Sequence, residues 1–548
     1  MRLAVPVLAV VAALVLFTGL GAVGFLDERE TRNLAVVAPV PDEIERLTPL
    51  LGGEPLHERP LLGYALDLLG ARFPGTDPTG PRAVRGLAAL ALVAVTGALG
   101  GRRFGARAGW LAAVVLLTSV GTPVAARTDG PQLLGSLFDW IACAAFMEAV
   151  FGTDTRHDGA LIVAWGALGC ALLVAGPLSA AWPLGGLAFY FALARRGGAW
   201  RRLEPAWGVL IVVGLALPWY GAMTELHRGR FITQVPWFPY AGPPHAGWLR
   251  APLVAVSLLL AAAFPWCAWL PGSLAHADAW WRSPAPRSPR TDAESAGPGM
   301  VLTAVEEQMR FESQAHLLIA WLVCATATLA LYPQPPLSAA LAALPAVALL
   351  TGRLLDHVLE RPERVRGAVA GAAYTLMLVG VPLAVIAAMS AGRVPWAASP
   401  IRLVAVVTLI GVVAPFLALF TGRPRLSACL FALPVAIGTP LVSFALLPPL
   451  EDALDTRHVA AVMERVSPRD AAVLLIEPPP SSLRLYLWRN LVVADTLASE
   501  LPRVRAADGF TYLMFRAARE SEAEREAGVP LEILARTPGM VLARARVP

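Results

Sequence analysis

Residues 3–25, LAVPVLAVVAALVLFTGLGAVGF, form one unbroken apolar run that ends against the ionised cluster Asp27, Glu28, Arg29, Glu30 and Arg32. At about 1.5 Å of rise per residue the run is long enough to cross a bilayer. Similar runs recur along the chain. The pattern predicts about thirteen membrane helices, near 3–25, 84–100, 107–125, 132–151, 159–176, 178–195, 207–223, 251–272, 316–332, 336–352, 368–390, 401–421 and 426–447. Two regions fall outside this rhythm and are too long to be plain connections. The first is the loop 26–83, which carries the acidic cluster and an amphipathic run, Pro60–Leu69, suited to the membrane interface. The second is the tail 449–548, where strand-like AAVLLIE (471–477), a Pro-rich break at 478–480, SLRLYLW (482–488) and NLVVAD (490–495) precede a second apolar strand, FTYLMF (510–515); alternating strands and helical stretches predict a small α/β domain. The Ser-, Pro- and Arg-rich segment 273–315 predicts a flexible loop.

Composition agrees: 56% of residues are hydrophobic and 16% charged, with a mean hydropathy of +0.59, which excludes an ordinary soluble domain. The five cysteines lie in apolar runs without CxxC spacing and read as small core residues. All 45 basic residues are arginine. They collect in alternate loops (Arg102, Arg103 and Arg107; Arg195 to Arg202; Arg353 to Arg366; Arg423 and Arg425), so the net charge of +5 is no argument for a nucleic-acid partner. The positive-inside rule makes those loops cytoplasmic. The N-terminus is then cytoplasmic, the loop 26–83 and the tail face outward, and the first run is a membrane anchor rather than a cleaved signal peptide. The expected fold is an all-α polytopic membrane domain, 1–448, followed by an extracytoplasmic α/β domain, 449–548.

The order of several short motifs resembles the lipid-linked-sugar glycosyltransferases of the GT-C fold, in particular the aminoarabinose transferase and protein O-mannosyltransferase group. The acidic cluster at 27–32 stands where that group carries a DEAR-like motif after its first helix, and Leu56-His57-Glu58-Arg59-Pro60-Leu61 is similar to its E-K-P-P-L. Residues 80–119 resemble its second and third helices with their Arg-Arg-Phe-Gly turn, and Arg127-Thr128-Asp129 stands at its outward Arg–Asp segment. Ala175-Gly176-Pro177, Leu217-Pro218-Trp219 and Phe264-Pro265-Trp266 follow in the same order.

The resemblance implies a sugar donor on a polyprenyl phosphate, a lipid, glycan or protein acceptor, and an inverting displacement in the bacterial cytoplasmic membrane, at its outer face. Holding the anionic phosphate calls for arginine, which can bind it bidentately. Arg59, in the group's lysine place, is the first candidate, with Glu58 beside it and Arg85 and Arg127 as further substrate-binding candidates. A carboxylate base must take the acceptor's proton, and Asp27, Glu28 and Glu30 are the candidates, with Asp129 orienting the base or the acceptor. Some relatives place a divalent cation beside such carboxylates; no ligand spacing here demands one.

The motif is not reproduced cleanly. With Arg32 on the motif's arginine, Arg29 falls where the reacting Asp belongs; a slide of two residues restores an Asp-Glu pair at 27–28 but puts Glu30 in place of the arginine. The alternatives are a GT-C paralogue with altered activity, a transporter, or an assembly subunit for envelope polysaccharide. Apart from Asp139 and Glu148 the spans are almost free of ionisable residues, and no internal repeat relates the two halves, which disfavours a transporter.

Overall fold

The computed structural model describes residues 4–25, 28–36, 48–51, 54–55, 59–73, 78–152, 158–194, 197–227, 250–282, 298–332, 335–394, 397–449, 456–468, 471–476, 483, 486–487, 491–493, 501, 503–504, 506–537 and 539–546. Among them, seven helices are long and apolar enough to cross a membrane, and nine if two bent pairs each count as one span. The chain is an integral membrane protein. The expected count of about thirteen is not confirmed among the described residues, where several apolar runs are bent or form helices of fewer than 18 residues.

The first run is helical over Ala4–Ala12 (α1) and continues as a single π-type stretch, Ala13–Phe17, before it turns. The acidic cluster opens a short helix, Glu28–Ala35 (α2), and the amphipathic run forms a 3-10 turn, Leu61–Tyr64, and a helix, Ala65–Ala71 (α3). Then come Thr79–Phe104 (α4), Ala106–Leu117 (α5), Gly121–Thr128 (α6) and Gly130–Phe151 (α7). The run expected as one span at 107–125 is thus two helices, α5 and α6, bent by 57°. Pro123 has no N–H to offer the preceding turn, and the hydroxyls of Thr118, Ser119 and Thr122 bond to the carbonyls of Val114, Val115 and Leu116 at 2.6–2.7 Å. A second expected span, 251–272, bends by 108° beside Pro265. The two breaks meet: Val120 N donates to the Phe264 carbonyl at 3.0 Å, and the Trp266 indole donates to Thr118 Oγ1 at 2.9 Å.

Small residues let the helices approach. A Cβ on Gly100 would stand 2.8 Å from Gly109 Cα, and one on Gly352 would stand 2.6 Å from Ala112 N. Gly352 belongs to Leu344–Glu360, a helix buried along nearly its whole length, preceded by a 3-10 turn, Leu337–Ala342. Where the arginine-rich ends gather, Arg103 pairs with Glu148, Arg107 with Asp356 and Arg353 with Asp356. The expected loop 273–315 is largely helical: Leu270–Arg282 and Pro298–Leu329 take up its two ends. The strong helix formers of VLTAVEEQM outweigh the polar composition there.

A two-stranded ribbon, Leu50–Leu51 (β1) against Glu54–Pro55 (β2), lies in the first long loop. The tail holds a mixed five-stranded sheet in the order β4-β3-β5-β7-β6. Its strands are Val473–Leu475 (β3), Leu491–Val493 (β4), Phe510–Arg516 (β5), Leu531–Arg536 (β6) and Met540–Arg546 (β7). The inner strands pair in parallel, β3 with β4 and with β5, whereas β7 runs antiparallel to β5 and β6. Alternate residues feed two cores. One packs under the helix Arg457–Val466 and also takes in Phe25 and Leu34 from the start of the chain; the other lies under the helix Glu520–Ala527. Phe25 N donates to the Tyr486 hydroxyl at 3.1 Å. The acidic segment and the C-terminal sheet therefore share one side of the molecule.

Candidate functional site

Arg82 and Arg85 stand three residues apart in the first turns of α4, so both side chains leave the same helix face. All five N–H donors of Arg82 are used. Nε and Nη2 grip the two oxygens of Glu30 at 2.9 and 2.8 Å, Nη2 also reaches the Gly24 carbonyl at 2.8 Å, and Nη1 reaches those of Leu20 and Val23 at 2.8 and 2.9 Å. Those carbonyls lie past the end of the first helix, where the backbone has no helical partners. Arg127 serves the same region, donating to the carbonyls of Val15 and Thr18 at 3.0 Å and of Pro123 at 3.3 Å.

Arg85 is fully buried. Its Nη1 bonds to Glu30 at 3.0 Å and to the Arg127 carbonyl at 2.9 Å, while Nε and Nη2 both donate to one oxygen of Asp67, Nε at 2.7 Å. Two guanidinium and two carboxylate groups thus form a neutral, alternating network that joins α2, α3, α4 and α6. Burial raises the Asp67 pKa above its ordinary value, opposed chiefly by the Arg85 charge and hydrogen bonds. Gly130 makes room for the pair: a Cβ there would stand 3.0 Å from Asp67 Oδ2.

Next to this network, Asp129 caps α7 by accepting from Gln132 N at 3.1 Å through Oδ1. Its Oδ2 accepts from the Ser338 hydroxyl at 2.8 Å. Nη1 of the buried Arg59 approaches Asp129 Oδ1 at 3.9 Å. A guanidinium and a carboxylate, both withdrawn from water, are suited to binding and orienting a polar substrate.

Arg59 and Asp129 thus come together, as do Glu30 and Arg85. The Glu30 carboxylate is engaged on both oxygens by arginine, and the Arg127 guanidinium donates to three backbone carbonyls. Asp27 and Glu58 lie outside the described residues, as does the side chain of Glu28. Among the described residues no group of three or more His, Cys, Asp or Glu side chains could hold a metal ion. Sequence reasoning missed Arg82, Asp67 and Ser338. Arg82 was detectable from its i, i+3 spacing to Arg85 at the head of a span, and Asp67 as the one acid in an otherwise apolar short helix. Ser338 carried no local signal.

By sequence, no protein-family model and no curated protein matches this chain. By structure, it matches ArnT from Cupriavidus metallidurans bound to undecaprenyl phosphate, with a TM-score of 0.74 at 18% identity over 98% of this chain and 97% of that one. The apo form of the same transferase matches with a TM-score of 0.73 at the same identity and coverage. AglB, an oligosaccharyltransferase from Archaeoglobus fulgidus, matches with a TM-score of 0.42 at 14% identity over 96% of this chain and 70% of its own. The chain has the GT-C fold of the aminoarabinose transferase along its whole length, from the first helix to the C-terminal sheet.

Proposed function

We propose that the chain is a membrane glycosyltransferase that moves a sugar from a polyprenyl-phosphate donor to an acceptor at the outer face of the bacterial cytoplasmic membrane, with its N-terminus inside and its C-terminal domain outside. The observation that carries this reading is the full-length likeness to a transferase solved with undecaprenyl phosphate. The buried Arg59–Asp129 pair on the side of the C-terminal sheet supports it.

In this reading Arg59 holds the donor phosphate by charge-assisted hydrogen bonds, and Asp129, fixed by Gln132 N and Ser338, keeps the guanidinium aimed. The acceptor oxygen or nitrogen bonds to the anomeric carbon as the bond from that carbon to the phosphate oxygen breaks. Polyprenyl phosphate leaves with the electron pair, and a carboxylate takes the acceptor's proton. A single displacement inverts the anomeric centre. Asp27 or Glu28 supplies the base, since Glu30 has both oxygens committed to arginine. Arg85 acts by holding Glu30 and Asp67 rather than by touching substrate.

The test is transfer of labelled sugar from synthetic undecaprenyl-phosphate sugars to endogenous lipid by membranes carrying the protein. The expected result is transfer that Arg59→Ala lowers at least about a hundredfold, the scale of removing one charged transition-state contact, with abolition by Asp27→Asn combined with Glu28→Gln. Transfer untouched by the double change sinks the base assignment. Absence of both transfer and undecaprenyl-phosphate binding sinks the enzyme reading.

A further inference from the structure

The stretch of chain that carries the candidate bases Asp27 and Glu28 is flanked on both sides by residues that the C-terminal domain holds. Phe25, just before it, and Leu34, near the end of α2, are both buried in the apolar core under the helix Arg457–Val466. The carbonyls of Leu20, Val23 and Gly24 accept from Arg82, and so does the Glu30 carboxylate further on. The Phe25 N–H is answered from elsewhere. It donates to the Tyr486 hydroxyl at 3.1 Å, across a sequence separation of 461 residues.

Tyr486 belongs to the SLRLYLW stretch of the tail, to which the proposed function gives no role. Its place is well determined. Leu487 N donates to the Leu483 carbonyl at 2.8 Å, and both leucines are buried in the same core as Tyr486. The Tyr486 ring is tilted against that of Phe25, with centroids 6.1 Å apart. A cation faces each ring of the pair: the guanidinium carbon of Arg457 lies 5.6 Å from the Tyr486 centroid, and that of Arg82 lies 5.9 Å from the Phe25 centroid. Arg457, Tyr486, Phe25, Arg82 and Glu30 thus form one continuous series from the C-terminal domain to α2.

Ring packing alone would join the two parts of the chain equally well with phenylalanine at 486. The hydroxyl adds direction, because it fixes one backbone amide beside the candidate bases. Direction matters for a proton acceptor, since a misplacement of about 1 Å can cost about a hundredfold in rate. We propose that Tyr486 is a positioning residue for the general base, through which the C-terminal domain sets the backbone that carries Asp27 and Glu28. Tyr486 acts through the Phe25 amide and not by touching substrate. The inference rests on the proposed function and adds a residue of the C-terminal domain to its machinery.

The experiment compares the full-length wild type with Tyr486→Phe, which keeps the ring and removes the hydroxyl. Hydrogen exchange is followed in peptides covering residues 20–30, and transfer is followed as initial rates over a range of synthetic undecaprenyl-phosphate sugar. In Tyr486→Phe, exchange of the Phe25 amide is expected to speed up about two- to tenfold, the effect of one neutral hydrogen bond. The kcat is expected to fall at least about tenfold, while KM for the donor and binding of undecaprenyl phosphate alone stay as in the wild type. A packing role alone would not produce that split between kcat and KM. Unchanged exchange at Phe25 overturns the inference, as does an unchanged kcat or a loss confined to KM. A wild type whose Phe25 amide exchanges as fast as unstructured chain overturns it with no need for a variant to fold. Absence of both transfer and undecaprenyl-phosphate binding in the wild type overturns the proposed function itself, and this inference with it.

Discussion

Glu30 separates a structural role from a chemical one, and Glu30→Gln is the perturbation that does so. Wild-type Glu30 receives two bonds from Arg82 and one from Arg85, all charge-assisted and all buried. Glutamine keeps the volume but removes the charge and turns one acceptor into an N–H donor facing guanidinium donors. Charged hydrogen bonds contribute roughly 1.5–3 kcal/mol each and neutral ones roughly 0.5–1.5. Weakening two bonds and losing one therefore costs about 3–5 kcal/mol, the range found when one partner of a buried ion pair is removed. Arg82 keeps its three backbone carbonyls, so the loss falls on the junction of α2 with α4 rather than on the whole bundle. Detergent-solubilised membrane proteins usually unfold irreversibly, so the measurable quantity is the half-life of monodisperse protein at fixed temperature. Size-exclusion chromatography of heated samples is expected to show that half-life shortened by at least about tenfold, since 1.36 kcal/mol already corresponds to a factor of ten. Arg82→Gln in the same assay is expected to shorten it as well, and the double variant to be less damaging than the sum of the singles. A Glu30→Gln protein as durable as the wild type but without transfer activity refutes this reasoning and returns Glu30 to the role of base.

Three further outcomes are expected. Arg59→Ala should weaken undecaprenyl-phosphate binding at least about tenfold in native mass spectrometry, and Arg59→Lys should recover part of it, because lysine supplies charge without the bidentate fork; equal binding by all three proteins removes Arg59 from the phosphate site. Gly130→Ala should destabilise by about 1–3 kcal/mol, since its Cβ would press on Asp67 Oδ2 at 3.0 Å and on Arg85 Nε at 3.3 Å in a closed space; an unchanged thermal-unfolding midpoint would show that the network yields easily. In the C-terminal sheet, the hydrogen bonds from Arg544 hold Glu532 below its ordinary pKa of 4.5. Its folded value is depressed, so this contribution is complete above pH 4.5 and fades as pH falls through the lowered value. Hydrogen exchange of residues 531–546, corrected for the intrinsic rate, should speed up over that acid range in the wild type and change less in Glu532→Gln.

The membrane class of the chain, the place of the acidic segment after the first apolar run and the strand-bearing tail were all set by local pattern. Length and hydropathy of consecutive residues decide whether a helix can cross a bilayer, and alternation decides whether a strand can bury one face. The ordered motifs likewise brought Arg59 and Asp129 into view before any geometry was known. Only the tertiary structure decided which partners each charge meets. Glu30 and Arg127 read as surface chemistry in the sequence, yet one is clamped between Arg82 and Arg85 and the other donates to the carbonyls of Val15, Thr18 and Pro123. Pairing between residues such as Arg82 and Glu30, 52 positions apart, leaves no local trace. Whether a carboxylate serves as a base, a strut or a binding group depends on the donors that reach its oxygens. Those donors come from helices that meet only when the bundle closes.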